Sequence, residues 1–201
     1  MSGEAISPRQ ILDYLSLGEK LKCATRHCFT TSGRQESVAE HSFQLGLLCM
    51  LLWDSCPGVE MERVLQMCIL HDMGEAFTGD IPAFEKGADH REREAALRSA
   101  WVESLPEPQR SGFRELYEEM DALETQEAKI YKAMDRLEAI IQHNEAPLES
   151  WLPLEYALQF TYGKKDLEFS PYFQALRREI DEISREKIRS GGGEIPPEGR
   201  A

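Results

Sequence analysis

Apolar residues recur at helical spacing along most of this chain, whereas alternating β-branched stretches are scarce and Asn-Gly or Asp-Gly hairpin signals do not occur. A first helix is predicted from about residue 8 to residue 18, because proline favours helix starts and glycine favours helix ends. Residues 22–33 have no clear period and are predicted to form a loop. Further helices are predicted over about 60–77 and 90–104, from the turn at Pro106 and Pro108 through residue 117, and over about 124–145 and 171–188. The pattern therefore predicts an all-α fold, a helical bundle of about seven or eight helices.

A second helix carries the clearest start signal in the chain. Ser37 and Glu40 have the spacing of a capping box, in which each side chain binds a backbone amide of the other residue. The helix is predicted to continue to about residue 54 and is apolar nearly all round, as shown by Phe43, Leu45, Leu47, Leu48, Met50, Leu51 and Leu52. Such a helix is predicted to be central in the bundle rather than superficial.

Length and charge limit the organisation and the partners. The 201 residues fit a single domain over 1–190, and the Gly- and Pro-rich residues 191–201 are expected to form a disordered tail. The 23 basic and 36 acidic residues give a net charge of −13. This charge repels phosphate backbones, so neither a nucleic-acid polymer nor a membrane surface is an expected partner. A small phosphorylated substrate is compatible with it, because a local cation can outweigh the global field.

The cysteines and the N-terminus indicate the compartment. None of the five cysteines forms a C-x-x-C pair, and Cys49 and Cys68 lie in apolar helical patterns, so they are expected to be buried thiols. The N-terminus lacks a basic-then-apolar signal, and no apolar run reaches the roughly 18 residues that span a bilayer. A cytoplasmic protein is expected.

Several polar residues stand where the helical pattern predicts core. His41 lies in the first turns of the second helix, and His71-Asp72 directly follows an apolar run. Asp135 lies beside Met134 in the long helix over 124–145. A buried ionised aspartate is costly unless it is paired or binds a metal. Imidazole and carboxylate together suit a divalent cation, so these residues are candidate ligands.

Ordinary interpretations compete with a metal site. A histidine on an apolar helix is more often a hydrogen-bonded core residue, and an aspartate flanking an apolar stripe is usually solvated. Asp72 could also be a helix-surface residue paired with nearby Arg63. Periodicity alone therefore favours the ordinary interpretation and leaves the metal site as an alternative.

The order of these residues resembles a known family. His41, then His71-Asp72, then Asp135, each on a separate predicted helix, is similar to the HD superfamily of metal-dependent phosphohydrolases. The resemblance implies that these four residues hold one divalent cation: Mn, Co, Fe, Ni, Zn or Mg. It also implies the HD-domain type of helical bundle.

Longer segments strengthen the resemblance. Residues 36–42, ESVAEHS, resemble the family segment around its first histidine. Residues 71–82, HDMGEAFTGDIP, resemble the branch that contains bacterial 5′-deoxynucleotidases and related small HD hydrolases. The similarity covers about residues 12–188.

Two acidic residues that follow His71-Asp72, the HD doublet, have implied catalytic roles. Glu75 lies four residues after His71 and three after Asp72, so all three are expected on one helix face. The resemblance implies that Glu75 takes part in proton transfer, and the alternative is a surface residue. Asp80 follows Gly79 in a loop, and the resemblance implies that it positions the attacking water or the leaving group. Its alternative is a turn-forming aspartate.

Substrate contacts are implied upstream of the first histidine. Arg26 lies fifteen residues before His41, as does a phosphate-binding arginine in the deoxynucleotidases, so it is the candidate to clamp a phosphate. His27 stands where those enzymes have a tryptophan that helps to read the sugar, which leaves the preference for deoxyribose open. Lys86 and Arg34 are weaker candidates for substrate binding, and a surface role is at least as common for each.

The implied activity is that of a phosphomonoesterase that releases phosphate from a (deoxy)nucleoside 5′-monophosphate or a similar small ester. Alternatives are a phosphodiesterase, an alarmone pyrophosphohydrolase, and a nucleotide-binding regulatory module with little turnover. One metal is expected, because HD proteins with two metals need extra histidines and His90 is predicted to be a surface residue. The resemblance also allows a homodimer, with Trp101, Trp151 and Tyr172 equally plausible as surface or core.

Overall fold

The computed structural model describes residues 6–196, and α-helices dominate this range. They are α1 (Pro8–Cys23), α2 (Val38–Leu51), α3 (Met61–Leu70), α4 (Glu75–Thr78), α5 (Ala88–Glu103), α6 (Gln109–Ala122), α7 (Gln126–Glu145), α8 (Glu155–Thr161) and α9 (Pro171–Ser190). Single 3-10 turns cover Trp53–Ser55, Leu148–Ser150 and Lys164–Leu167. Strands β1 (Thr25–Phe29) and β2 (Gln35–Ser37) form a two-stranded sheet. The all-α fold class is confirmed, and α4 is only one turn long.

The prediction of a loop over 22–33 was wrong. Helix α1 does not end at Gly18 but continues to Cys23, where lysines in its last turn complement the helix dipole. A short hairpin follows, closed by a hydrogen bond of 2.8 Å from the Thr30 amide to the Arg34 carbonyl. Gly33 turns the chain with a φ of 80°, a region that favours glycine. Such short strands contain too few residues to establish a period.

The predicted capping box at the start of α2 is confirmed. The Ser37 hydroxyl accepts a hydrogen bond from the Glu40 amide at 3.2 Å, and the Ser37 amide donates to Glu40 Oε2 at 2.9 Å. Because the cap determines where α2 begins, it also determines that His41 lies in the first turns of the helix.

Helix α2 is not central, in contrast to the prediction. One side is buried and includes Val38, Leu45 and Cys49. The other side, which we term the α2 face, consists of Phe43, Leu47, Met50 and Leu51, whose exposed fractions range from 41% to 73%. A helix that is apolar all round carries no sequence signal of which side the other helices cover, so composition alone could not identify this exposed side.

The described part of the chain forms two compact units. The first contains the chain up to His27 and Glu36–Tyr131, and the second contains Cys28–Gln35 and the chain from Lys132 onward. A core cluster of the first unit consists of Leu17, Leu21, Val38, Met73 and Ala76. Fully buried residues of the second unit include Leu137, Leu167, Phe173 and Ile188. The single domain over 1–190 stays a prediction.

Three other expectations concern burial and the chain end. Cys49 and Cys68 are buried thiols, as predicted. Among the described helices, none is both long and apolar enough to cross a bilayer. The predicted disordered tail falls partly on residues 197–201, which lie outside the described residues. Before them, the Gly193 amide donates a hydrogen bond of 2.9 Å to the Ile188 carbonyl at the end of α9.

Candidate metal centre

The HD doublet lies at the end of α3, where the helix tightens. Helix α3 ends at Leu70, and residues 71–74 continue as hydrogen-bonded turns. The Glu75 amide donates to the Asp72 carbonyl at 2.9 Å, three residues back instead of four. The predicted continuous helix over 60–77 is therefore interrupted. The shared face of His71, Asp72 and Glu75 rests on this tighter turn and not on α-helical spacing.

Three ligand atoms converge in the first unit. His41 Nε2 lies 3.1 Å from His71 Nε2, and an oxygen of Asp72, Oδ2, lies 3.0 Å from His71 Nε2 and 3.8 Å from His41 Nε2. Both imidazoles are buried, and the Asp72 carboxylate is 21% exposed. Ligands bound to one ion at about 2.0–2.1 Å lie about 3 Å apart, so these distances fit a shared divalent cation.

The orientation of His71 also fits a ligand. Its Nδ1 lies 2.9 Å from the Cys68 carbonyl oxygen, which can only accept a hydrogen bond. Nδ1 therefore carries the proton, and the lone pair of Nε2 points toward His41 and Asp72. Metal-binding histidines commonly have their second nitrogen fixed in this way. The ordinary interpretation of Asp72 as a partner of Arg63 was wrong, because Arg63 instead contacts Glu119.

Glu75 is a buried acid next to this cluster. Burial first, and then the charges of Asp72, Asp80 and Glu94, raise the pKa of Glu75 to about 9 against the opposing charge of Lys86. Its Oε1 accepts a hydrogen bond of 3.2 Å from Lys86 Nζ. Its Oε2 is buried without a hydrogen-bond partner in the described part of the chain. Glu75 is thus a carboxyl group that can hold a proton at neutral pH, and it is not a surface residue.

Asp80 and Arg26 belong to the same electrostatic environment. Burial raises the pKa of Asp80, the positive charge of Arg26 opposes this, and the charge of Asp72 adds to it. Gly79 makes the preceding turn with a φ of 74°, which only glycine adopts readily. Arg26 Nη1 donates a hydrogen bond of 2.8 Å to Oε2 of the buried Glu36. The buried Glu36 therefore fixes the position of the Arg26 guanidinium group.

The other substrate-binding candidates have different surroundings. The His27 ring meets the Phe84 ring edge-on, with centroids 5.7 Å apart. Lys86 lies between two carboxylates, at 3.2 Å from Glu75 Oε1 and 2.5 Å from Glu94 Oε2. Arg34 lies in the exposed hairpin turn of the second unit, where it donates to the Gln35 carbonyl at 3.1 Å.

Asp135 belongs to the second unit, on α7. Its carboxylate is 13% exposed and accepts a hydrogen bond of 2.8 Å from Lys132 Nζ. Its role as a fourth ligand stays a prediction. His90 is exposed, as expected for a surface residue, and His143 is buried in the second unit against Gln159.

Two residues of this environment were missed by sequence reasoning. Glu36, which holds Arg26, lies within the segment that resembles the family but was assigned no role. Glu94, which pairs with Lys86, lies in a charged helix where nothing distinguishes it from its acidic neighbours. Pairings between distant elements leave no local signal in a sequence.

Comparison with known proteins identifies the family. The sequence pattern described as HD domain matches residues 18–177. The chain is 32% identical over 165 residues to the 5′-deoxynucleotidase hdd1 of Schizosaccharomyces pombe, covering 78% of this chain and 77% of that protein. It is 32% identical over 142 residues to the human 5′-deoxynucleotidase HDDC2, covering 68% of each.

A solved structure agrees with these relatives. The predicted metal-dependent phosphohydrolase from Magnetospirillum magnetotacticum MS-1 superposes with a TM-score of 0.75 at 26% identity, covering 90% of this chain and 95% of that one. The chain belongs to the HD domain family, and the resemblance is confirmed. It is an enzyme of the metal-dependent phosphohydrolase class, and membership implies a divalent metal, for which His41, His71 and Asp72 are clustered.

Proposed function

We propose that this protein is a phosphomonoesterase that releases phosphate from a (deoxy)nucleoside 5′-monophosphate or a similar small phosphate ester. The observation that carries the proposal is the cluster of His41, His71 and Asp72, whose ligand atoms lie within 4.8 Å of one another, beside the buried acid Glu75. Relatives named 5′-deoxynucleotidase support the substrate class. A purely regulatory nucleotide-binding module has no need of a buried protonatable acid at this position.

One divalent cation would be held by His41, His71, Asp72 and Asp135. When bound, such a cation polarises phosphate oxygens and increases the acidity of water. Two imidazoles and two carboxylates suit Mn, Co, Fe, Ni or Zn almost equally, and Mg is a further candidate, so supply in the cell decides which metal is bound.

The other site residues have separate roles in the proposed reaction. Glu75 holds a proton and passes it to the leaving alcohol oxygen, since its Oε2 has no competing partner among the described groups. Asp80 orients the attacking water, and Arg26, held by Glu36, offsets charge on the phosphoryl oxygens. His27 and Phe84 together offer an aromatic surface on which a base or ribose can stack. Lys86 stays a further candidate for contact with the substrate.

Elemental analysis of the purified protein, followed by a screen of metals against nucleotides, tests the proposal. We expect about one equivalent of a divalent transition metal and release of inorganic phosphate from nucleoside 5′-monophosphates. Release of pyrophosphate, or of a monoester from a diester, would instead support the alarmone or phosphodiesterase alternatives. Nucleotide binding without turnover under every metal would identify a regulatory module and contradict the proposal.

We further propose that two copies of the chain associate through the α2 face. This face is apolar, and the only charged residue of α2 is Glu40, which is held in the capping box. Helix α2 itself therefore brings no unpaired like charges into such a contact, despite the net charge of −13. Of the aromatic candidates for a dimer surface, Trp151 is buried in the second unit, Trp101 is partly buried, and Tyr172 is exposed.

Replacing Leu51 with glutamate is expected to convert a dimer into a monomer, because the substitution buries a charge in each half of the contact. Light scattering after size-exclusion chromatography measures the mass, which should fall from twice the chain mass to the chain mass. Leu15→Glu is the matched control, since Leu15 on α1 is 69% exposed and lies outside the α2 face. A monomeric wild type, or a dimeric Leu51→Glu variant, would contradict the proposed interface.

A further inference from the structure

Lys86 connects the acid Glu75 to a second carboxylate on another helix. Its ammonium lies 3.2 Å from Glu75 Oε1 and 2.5 Å from Oε2 of Glu94, which is on α5. The Lys86 and Glu94 side chains are only 17% and 18% exposed. Water screens this pair weakly, so its ionic contact is stronger than that of a surface pair.

The backbone directly before Glu75 leaves room for the Glu94 side chain. A Cβ added at Gly74 would lie 2.6 Å from Glu94 Cγ and 3.4 Å from the Glu94 carbonyl oxygen. Gly74 has ordinary helical angles, so its conformation does not require glycine. The absence of a side chain is instead what lets Glu94 lie against the turn directly before Glu75. The backbone of Lys86 is anchored as well, because its amide donates a hydrogen bond of 3.0 Å to the Pro82 carbonyl.

We propose that Glu94 is a positioning residue for the phosphohydrolase reaction, which acts through Lys86 to hold one oxygen of Glu75 and leave the other available. The inference rests on the proposed function, in which Glu75 transfers a proton. Oε1 of Glu75 is bound by Lys86, and Oε2 is buried without a hydrogen-bond partner among the described residues. A carboxyl group with one anchored oxygen keeps the other in a defined direction.

The contacts of Lys86 with Glu75 and with Glu94 restrict the lysine to different extents. A lysine side chain has many rotamers, and a single hydrogen bond of 3.2 Å to Glu75 would restrict it weakly. The shorter contact to Glu94 fixes the ammonium and supplies its counter-charge. Burial lowers the pKa of Lys86, but the hydrogen bond to Glu94 and the charges of both carboxylates outweigh burial and raise it. Without Glu94, Lys86 would lose its main anchor.

Glu94→Gln is the direct test, because it removes the charge and keeps the shape. We expect kcat for nucleoside monophosphate hydrolysis to fall about tenfold while KM stays within about twofold, since a misplaced catalytic group affects the chemical step. Glu94→Asp keeps the charge and should recover most of the lost kcat. Glu92→Gln, an exposed residue on the same helix, is the matched control and should match wild type.

A double-mutant cycle with Lys86→Met tests the route of the effect. If Glu94 acts through Lys86, adding Glu94→Gln to Lys86→Met should cause no further loss of kcat. Losses that multiply would overturn the proposal. So would a Glu94→Gln variant that matches Glu92→Gln, or one that changes KM alone.

Titration of Lys86 by carbon-13 NMR provides a readout that needs no activity. In Glu94→Gln we expect a lower pKa for Lys86 than in wild type, because its hydrogen-bonded counter-charge is lost. If wild type hydrolyses no phosphate ester, the proposed function fails, and this titration still decides whether Glu94 anchors Lys86. A pKa of Lys86 that is the same in both proteins would overturn the anchoring.

Discussion

Replacing Glu75 with glutamine is expected to leave metal uptake intact and to lower kcat by about 10²–10⁴, the usual contribution of a general acid or base. Glutamine keeps the size of the side chain and can still accept a hydrogen bond from Lys86, but it has no proton to transfer. Metal content by elemental analysis and steady-state kinetics on a nucleoside 5′-monophosphate measure the two effects separately. The separation is the important result, because a general disruption of the site would lower both.

Asp72→Ala provides the contrasting variant. It removes one of the three clustered ligand groups, the carboxylate whose Oδ2 lies 3.0 Å from His71 Nε2 and 3.8 Å from His41 Nε2. Metal content and turnover should therefore be lost together. Wild-type activity in Glu75→Gln would remove Glu75 from the mechanism, and full metal content in Asp72→Ala would contradict the proposed ligand set.

Replacing Arg177 with methionine is expected to destabilise the protein by about 3–5 kcal/mol, because it removes the closest ionic partner of the buried Asp181 carboxylate. Arg177 is buried in the second unit and donates to Asp181 Oδ1 at 2.7 Å. Its other nitrogens donate to the carbonyls of Tyr162 at 2.6 Å and Gln159 at 2.7 Å. Asp181 is also buried, and after the substitution only Lys164, at 3.6 Å, would face it among the ion pairs of the described chain.

Urea unfolding followed by circular dichroism measures this loss. Arg178→Met is the matched control, since Arg178 is the exposed neighbour on the same helix, and it should change stability by no more than about 0.5 kcal/mol. Replacing Asp181 with leucine in the Arg177→Met background should restore part of the stability, because the uncompensated charge is removed as well. Equal unfolding midpoints for Arg177→Met and Arg178→Met would show that the buried pair contributes little.

Local signals in the sequence were sufficient for the helical class and for the first ligands. The capping box of Ser37 and Glu40 involves residues three positions apart, so its effect on the position of His41 is visible without any tertiary contact. The HD doublet follows an apolar helical run directly, which indicates that it enters the interior. The order of these motifs was enough to recognise the family before any geometry was known.

Features that depend on the packing of separate helices could not be predicted from local signals in the sequence. The exposed side of α2 was misjudged, because an apolar composition does not specify which side other helices cover. The close approach of Glu94 to Gly74 is a contact between α5 and the chain before α4, and it has no local signal in the sequence.

The sequence by itself determined the helical class, the family and the identity of the candidate ligands, because periodicity, caps and motif order are encoded in neighbouring residues. Tertiary structure alone decided how close His41 lies to the HD doublet, that Glu36 holds Arg26, and that Glu94 holds Lys86 against Glu75. The physical reason is that helical periodicity defines the faces of each helix, whereas the partner of a face depends on how separate helices pack.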